Sequence, residues 1–248
     1  MSDAIIIRIQ RQDGPQSPSR METFSVPFTP GMTVMSCLLH IQANPVTSDG
    51  KTTTPVAFQA SCLQDTCGSC AVNVNGWPTQ ACSVRVDELE EPVVLAPLHK
   101  FPVVRDLVVD RSRVREQMQH VKPWVSVDGL EDLGPGPRQS AELALEREIL
   151  SRCTGCGACL EACPNYGKQT SFVGAAPVHE VRVANLHPTG EMQAVRRLEA
   201  MMEPGGVSDC GNAQNCVRVC PVGLPLTTSI ASVNKQVNRK AWRDLLGS

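Results

Sequence analysis

Aromatic side chains are scarce in this sequence: they make up 4% of its 248 residues, so the hydrophobic core must be largely aliphatic. Neither sign of charge is in large excess, and a formal net charge of −2 argues against nucleic acid as a partner. A run of about 18 apolar residues is also missing, so no membrane-spanning helix is predicted. The N-terminal sequence MSDAIIIRIQ lacks the basic and apolar regions of a signal peptide, and it is predicted to be a strand.

Cysteine, by contrast, is abundant: there are 12, and eleven of them fall in three tight groups. Disulfide frameworks are typical of small secreted domains, and this chain is neither short nor visibly secreted. We therefore predict reduced thiolates that bind metal in a reducing compartment. The twelfth, Cys37, stands among apolar residues of a predicted helix and is predicted to be a buried core thiol.

The first 106 residues have the pattern of a β-rich domain. A predicted helix, capped by Thr33, interrupts the predicted strands. Asn75-Gly76 is typical of a hairpin turn. The predicted elements are strands at Ile5–Ile9, Thr23–Phe28, Ala71–Asn75 and Val93–Leu95 and a helix at Val34–Gln42.

Residues 107–248 have the pattern of a helical domain, because apolar residues recur at spacings of three and four. The fold class predicted from the two halves is α+β, with a boundary near residue 106. Thr227 or Thr228 is predicted to cap the last helix. The predicted apolar helix faces are Val114, Met118 and Val121; Ala141, Leu145 and Ile149; Met192, Val195, Leu198 and Met202; and Ile230, Val233, Val237, Ala241 and Leu245.

The first cysteine group consists of Cys62, Cys67, Cys70 and Cys82, whose spacing is typical of a plant-type [2Fe–2S] cluster. Three thiolates come from one loop, and the fourth follows the predicted hairpin. Small residues around Cys70 allow backbone N–H groups to approach the sulfides. A structural zinc site is the alternative, although zinc sites usually use paired C-x2-C units, and this loop has only one such spacing.

The second and third groups together resemble a bacterial ferredoxin repeat, in which the fourth cysteine of each run binds the other cluster. This crossing predicts a [4Fe–4S] cluster on Cys153, Cys156, Cys159 and Cys220. Only three cysteines remain for the other cluster, because Ala213 stands where a fourth ligand is expected. We therefore predict a [3Fe–4S] cluster on Cys163, Cys210 and Cys216. A four-iron cluster with water or a non-cysteine ligand is the alternative, and zinc leaves the repeat unexplained.

This combination of cysteine groups resembles the iron–sulfur subunit of succinate dehydrogenase and fumarate reductase. The resemblance extends over nearly the whole chain, through the segments SCLQDTCGSCAVNVNG, FPVVRDLVVDR, CTGCGACLEACPNYG and CGNAQNCVRVCPVGLPLTTSIA. It implies a β-grasp ferredoxin domain over residues 1–106, followed by an α-helical ferredoxin domain over residues 107–248.

The resemblance further implies two partners. One is a flavoprotein subunit that carries FAD and holds the active site for succinate, and the other is a membrane anchor with a quinone site. This subunit is then expected to relay single electrons from flavin through the three clusters to quinone. It implies a peripheral position at the cytoplasmic face of the cell membrane, within a membrane-bound complex. Fumarate reductase is the reverse reaction, and a subunit serving a different flavoprotein is a further alternative.

Residues beside Cys163 are candidates for the quinone side of the subunit. Relatives that use ubiquinone have a Trp shortly after the first Cys-Pro and a His after the first cysteine of the last group. Here neither is present, and Gly211 follows Cys210. The segment Gly174–Met192 is instead similar to the branch associated with menaquinone. The resemblance implies that the quinone-side residues are Pro164, Asn165 and Tyr166. The alternative is that these residues only shape the loop.

Overall fold

The computed structural model describes residues 4–126 and 138–247 of the chain, which forms two compact units. The first unit comprises Met1–Arg111 together with the short segment Thr154–Ala162. The second comprises Ser112–Cys153 and Cys163–Ser248. The chain thus leaves the first unit after Arg111, five residues beyond the predicted boundary, and part of the second cysteine group belongs to the first unit.

The first unit contains a five-stranded sheet with the order β2-β1-β5-β3-β4. The neighbouring strands β1 and β5 are parallel, and the other neighbouring pairs are antiparallel. Strands β6 and β7 form a separate hairpin. The bounds are β1 Ala4–Arg11, β2 Arg20–Pro27, β3 Ala71–Val74, β4 Trp77–Gln80, β5 Val93–Ala96, β6 Val103–Arg105 and β7 Val108–Val109.

The core of this unit lies between the sheet and helix α1, Val34–Ala43. Alternate residues of β1 point to opposite faces, and Ile5, Ile7 and Ile9 are buried, as the period of a strand requires. Thr33 caps α1 as predicted, since its hydroxyl accepts a hydrogen bond from the backbone N–H of Ser36 over 3.2 Å. Cys37 is fully buried in this core, and burial raises the pKa of its thiol to about 11.

A buried ion pair joins the beginning and the end of the first unit. Arg11 donates from Nε to Asp106 Oδ1 over 2.9 Å, and both side chains are fully buried. The Asp106 carboxylate also accepts the backbone N–H groups of Gln12 and Ala57 at 3.0 and 2.9 Å. A buried charge needs such partners, and removing one of them costs about 3–5 kcal/mol. This network therefore holds the segment before Arg111 in place.

The second unit is helical, and the longest of its described helices, α9 (Leu226–Leu246), packs against α5 (Ala175–Leu186). Valines dominate the shared core, which explains how it is filled with few aromatic side chains. Helix α4, Ala158–Glu161, belongs to the first unit. The helices of the second unit are α2 Ser112–Val121, α3 Ala141–Leu150, α5 Ala175–Leu186, α6 Pro188–Glu191, α7 Ala194–Met202, α8 Asn215–Arg218 and α9 Leu226–Leu246.

A buried histidine links three helices of this unit. His179 on α5 is within 2.8 Å of the backbone oxygen of Leu150 in α3 and of the hydroxyl of Ser229 in α9. The guanidinium of Arg182 donates to the same hydroxyl over 3.1 Å. Burial lowers the pKa of His179, so its neutral form is favoured in the folded unit.

The buried faces of two helices differ from those predicted. Met192 precedes α7 and is 83% exposed, and Val195 on α7 is 55% exposed, whereas the buried side of α7 includes Leu198 and Met201. Of the four residues predicted for this face only Leu198 is buried, and buried Arg197 takes one of the other inward positions. The same error affects α3, where the predicted Leu145 and Ile149 are exposed and Leu150 is buried.

The last helix also departs from its prediction at both ends. It begins at Leu226 after Pro225, so neither Thr227 nor Thr228 is its cap. Val233 and Val237 are buried as predicted, but Leu245 is 75% exposed. Within residues 4–126 and 138–247, no helix combines the length and the apolar character needed to cross a membrane.

Candidate iron–sulfur sites

The first cysteine group lies in a loop whose backbone turns around the sulfur atoms. Leu63 and Asp65 both have a φ of 58°, which directs successive N–H groups toward one side of the loop. The N–H of Asp65 donates to Cys82 Sγ over 3.3 Å. Three further N–H groups donate to Cys62 Sγ over 3.3 to 3.4 Å, those of Gln64, Thr66 and Cys67.

Cys82 reaches this loop from the end of the β3–β4 hairpin, as the sequence predicts. Its Sγ lies 3.3 Å from that of Cys70, which directly precedes β3. Two sulfurs bound at about 2.3 Å to one tetrahedral metal are separated by about 3.8 Å. The pair is therefore close to the spacing that a shared iron requires.

The environment affects the ionisation of these thiols in opposite directions. A hydrogen bond with the Ser69 hydroxyl lowers the pKa of Cys67 to about 6, which favours the thiolate form that binds metal. Burial raises the pKa of Cys70 to about 12. Binding a metal would compensate for the cost of ionising this buried thiol, because the ion supplies the opposite charge.

Two ligands of the predicted four-iron cluster, Cys156 and Cys159, belong to the first unit, where they stand beside and within α4. Gly68 of the first cysteine loop packs directly against this segment. A Cβ added to Gly68 would lie 2.7 Å from the backbone oxygen of Thr154 and 2.9 Å from Cys156 Cβ. Gly68 also has a φ of +70°, so both its conformation and its surroundings require glycine.

Glu161 attaches helix α4 to the rest of the first unit. Its carboxylate, 8% exposed, accepts the backbone N–H groups of His99 and Lys100 over 2.9 and 3.0 Å. It also accepts the side-chain amide of Asn73 in β3 over 3.2 Å. These bonds hold Cys156 and Cys159 against the sheet.

The other two predicted four-iron ligands, Cys153 and Cys220, belong to the second unit. Cys220 Sγ accepts the backbone N–H of Leu224 over 3.3 Å, which is the type of hydrogen bond that tunes a bound cluster. Cys153 hydrogen-bonds with the partly buried side chain of Glu180, which opposes the rise that burial causes in the pKa of that carboxyl. The assignment of all four cysteines to one cluster stays a prediction.

The third group, Cys163, Cys210 and Cys216, lies wholly within the second unit. Burial raises the pKa of Cys216, and the negative charges of Cys163 and Cys210 raise it further, so the three sulfurs lie within electrostatic reach. Asn165 donates from Nδ2 to the backbone oxygen of Asp209 over 3.0 Å, which ties the Cys163 loop to the Cys210 segment.

Ala213 occupies an exposed turn between two of these cysteines. Its neighbours Asn212 and Gln214 have φ angles of 53° and 60°, which carry the backbone around this corner. A methyl side chain cannot bind iron, and the third group supplies three thiolates. A cluster with one corner left without a protein ligand fits this donor set.

The predicted quinone-side residues have different environments. Pro164 is exposed, and Asn165 is engaged with Asp209 as described above. Tyr166 is 2% exposed, donates its hydroxyl to Gln117 over 3.2 Å and lies 4.8 Å from the Arg113 guanidinium. Tyr166 thus has a clear part in packing the loop, and a role of these residues in quinone binding stays a prediction.

The described residues contain no three side chains of His, Cys, Asp or Glu arranged around a single metal ion. The fit to clusters depends instead on the paired thiols, the N–H groups directed at sulfur and the number of thiolates in each group. Cys62, Cys67, Cys70 and Cys82 fit a two-iron cluster in these respects, and the third group fits a cluster with three protein ligands.

The sequence did not indicate a role at these sites for three residues, Glu161, Arg111 and Gly68. Glu161 and Arg111 stand inside segments that carry the family resemblance, but neither spacing nor composition indicated what they contact. Gly68 is one of the small residues around Cys70, and size is the only property of it that the sequence indicated. Its positive φ and its contact with Thr154 depend on a segment that is distant in sequence, which explains why no local signal was available.

Family comparisons agree with the positions of the cysteine groups. Residues 6–116 match the family described as a 2Fe-2S iron-sulfur cluster binding domain. Residues 148–224 match the 4Fe-4S dicluster domain. These two regions contain all eleven cysteines of the three groups.

Relatives of similar length match the whole chain. A succinate dehydrogenase iron-sulfur subunit of Bacillus subtilis is 48% identical over 250 residues, which cover 100% of this chain and 99% of the relative. A fumarate reductase iron-sulfur subunit of Mycobacterium tuberculosis is 31% identical, with 99% and 98% covered. Among solved structures, a chain of the Mycobacterium smegmatis Sdh1 complex in the apo form matches with a TM-score of 0.80 and 25% identity, covering 98% of both chains.

Proposed function

The chain belongs to the family of iron–sulfur subunits of succinate dehydrogenase and fumarate reductase, and we propose that it is the electron-transfer subunit of a succinate:quinone oxidoreductase. It relays electrons from the FAD of a flavoprotein subunit to membrane quinone and so links the tricarboxylic acid cycle to the respiratory chain. Succinate is oxidised on the partner, and this chain contributes no group to that bond chemistry.

Each cysteine group has a specific part in this function. Clusters bound there supply one-electron carriers, which connect a flavin and a quinone that each exchange two electrons. The first group holds a [2Fe–2S] cluster, and the third group, with Cys163, holds a [3Fe–4S] cluster. The four-iron ligands are Cys153, Cys156, Cys159 and Cys220.

The observation that carries the proposal is the contact between the first cysteine loop and the segment of the second group. Gly68 brings the loop of Cys67 and Cys70 against Thr154 and Cys156 within one compact unit. Such close packing places the ligands of two successive carriers side by side, as a relay of electrons requires.

The sheet supports the finer fold assignment to the β-grasp ferredoxins. It is a mixed sheet whose neighbouring strands β1 and β5 are parallel, with α1 packed over its core face. The cysteine loop precedes β3, and its fourth ligand follows β4. We assign the second, helical domain to the α-helical ferredoxins, and this domain carries the third cysteine group.

The proposed partners are a flavoprotein subunit with FAD and a membrane anchor that provides the quinone site, with menaquinone as the quinone. Family membership supports both partners, and it supports a peripheral position at the cytoplasmic face of the cell membrane. Pro164, Asn165 and Tyr166 follow Cys163, the proposed ligand of the last carrier, and we place them on the quinone side.

Fumarate reductase is the second candidate, because relatives of that name match nearly the whole chain. The two activities use the same redox couple in opposite directions. Rates of succinate oxidation and fumarate reduction, measured on the assembled complex with menaquinone and ubiquinone analogues, decide the direction and the quinone.

The cluster content is tested on the complex purified in detergent without exposure to air. We expect about nine irons per chain from the three cluster types. EPR of the oxidised complex should show a sharp three-iron signal, and reduction with dithionite should add a two-iron signal. Stoichiometric zinc without either signal contradicts the proposal.

The third group is tested by Ala213→Cys, which offers a thiolate at the corner that lacks one. We expect the three-iron signal of the oxidised complex to decrease, because a fourth cysteine favours a four-iron cluster. Ala213→Val serves as the control, since it changes the same position without adding a ligand. An unchanged three-iron signal in the cysteine variant means that the ligand alignment of this group is wrong.

A further inference from the structure

The guanidinium of Arg111 lies beside the loop between two cysteines of the first group. Its two terminal nitrogens donate to the backbone oxygens of Gly68 and Ser69, over 3.3 and 3.4 Å. These two residues separate Cys67 from Cys70. Arg111 follows strand β7 and is the last residue of this stretch of the first unit, so its backbone is held by the same unit as the loop.

The third nitrogen of this guanidinium, Nε, is buried and has no hydrogen-bond partner among the residues that the structure describes. A buried N–H of a charged group is rarely left without an acceptor, because its desolvation is not compensated. The Nε–H of Arg111 is therefore available to an acceptor beside the loop between Cys67 and Cys70.

Cysteines of two different groups lie within electrostatic reach of the Arg111 side chain. Burial lowers the pKa of Arg111, and the negative charges of Cys156, Cys70 and Cys67 oppose this shift. Arginine keeps its charge in proteins. Since Gly68 packs against Cys156 in the same unit, the cation stands where the two groups approach each other.

We propose that the positive charge of Arg111 raises the reduction potentials of both the two-iron and the four-iron centre. The proposal rests on the cluster assignment made above. Reduction adds one negative charge to a centre, and a fixed positive charge beside its thiolates stabilises the reduced form. Net charge and hydrogen bonds to sulfur are among the factors that determine such potentials. Arg111 thus raises both potentials, and its free N–H is available to a sulfur of either centre.

The experiment is a redox titration of the assembled complex, followed by EPR, in the wild type and in Arg111→Gln. At the potential where half of the wild-type centres are reduced, we expect the ratio of reduced to oxidised centres to fall about tenfold in the variant. For a one-electron couple, this change corresponds to about 59 mV. Both the two-iron and the four-iron centres should shift downward, while the three-iron centre should not.

Arg20→Gln is the matched control, because it removes one arginine from the same unit. Arg20 is 41% exposed and pairs with Asp13 over 2.7 Å. Its replacement should leave all three potentials unchanged. Arg111→Lys keeps the charge without the planar fork. In this variant the ratio of reduced to oxidised centres, measured at the same potential, should change by no more than about twofold for either centre.

The possible failures are distinguishable. If the wild-type complex lacks the cluster signals, the proposed function fails. If the wild type shows them and Arg111→Gln moves neither potential, or moves all three equally, only the inference about Arg111 is overturned. Should Arg111→Gln not assemble, the lysine variant still decides, because a tenfold fall there contradicts a role of the charge.

Discussion

The first and third cysteine groups reach their arrangements in different ways. In the first group, three cysteines lie within one loop, and backbone N–H groups of the same loop donate to Cys62 Sγ. In the third, Cys163 is distant in sequence from Cys210 and Cys216, and the two segments are tied together by contacts such as that of Asn165 with Asp209. The first arrangement is therefore largely local, and the third depends on the packing of a helical core.

The largest expected effect is the selective loss of a whole centre. Cys82→Ala removes one thiolate of the first group, and we expect the dithionite-reduced two-iron EPR signal to disappear while the oxidised three-iron signal persists. Cys216→Ala should have the opposite result, because it leaves only two thiolates in the third group. EPR on both variants, normalised to protein, makes the measurement. If either variant loses both EPR signals, assembly of the two-iron centre and assembly of the three-iron centre depend on each other, which contradicts the comparison.

A smaller effect is expected from adding a methyl group at Gly68. Alanine at a positive φ costs about 1–2 kcal/mol. At Gly68 the added Cβ would also lie 2.7 Å from the Thr154 oxygen, whereas Gly76, with a φ of +82°, has open space around it. We therefore expect Gly68→Ala to be destabilising by about 1–3 kcal/mol more than Gly76→Ala.

The measurement for this pair is the urea concentration at which the visible absorbance of the clusters is lost. The dithionite-reduced spectrum should also change in Gly68→Ala and stay unchanged in Gly76→Ala. Equal behaviour of the two variants shows that only the φ angle matters at Gly68, and that the contact with the Cys156 segment does not constrain the loop.

The smallest effect concerns pH and distinguishes the two units. The pKa of His179 is lowered in the folded protein, chiefly by burial, so the unfolded chain binds more protons below its ordinary value of 6.5. The contribution of His179 to the free energy of unfolding is therefore fully present above about pH 6.5. It decreases as the pH falls, by up to about 1.4 kcal/mol per pH unit. We expect the three-iron centre to become sensitive to urea at acid pH before the two-iron centre does.

EPR after incubation in urea at pH 7.5 and 5.5 measures this difference. His179→Gln keeps a side chain that can hydrogen-bond to Leu150 and Ser229 but does not titrate. The variant should lose the difference between the two pH values. An unaltered pH dependence in the variant rules out His179 as its source.

Prediction from sequence succeeded where the signal was local. Strand β1 and helix α1 were placed within a few residues, because alternation and the Thr33 cap are short-range patterns. The family resemblance drawn from the cysteine spacings is confirmed by relatives that match the whole chain. The helix faces were less well predicted, since Met192, which was predicted to be buried, is exposed, and the charged residue Arg197 is buried.

The sequence by itself determined which cysteines form the three groups, and with Ala213 it determined that the third group offers only three thiols. The number of thiols in each group follows from residue type and spacing, which are properties of the chain alone. Only the tertiary structure decided that the Cys156 segment joins the first unit, that Gly68 packs against it and that the Arg111 guanidinium lies beside both. These contacts join residues more than 40 positions apart in sequence, and no local pattern encodes which distant backbone a loop will meet.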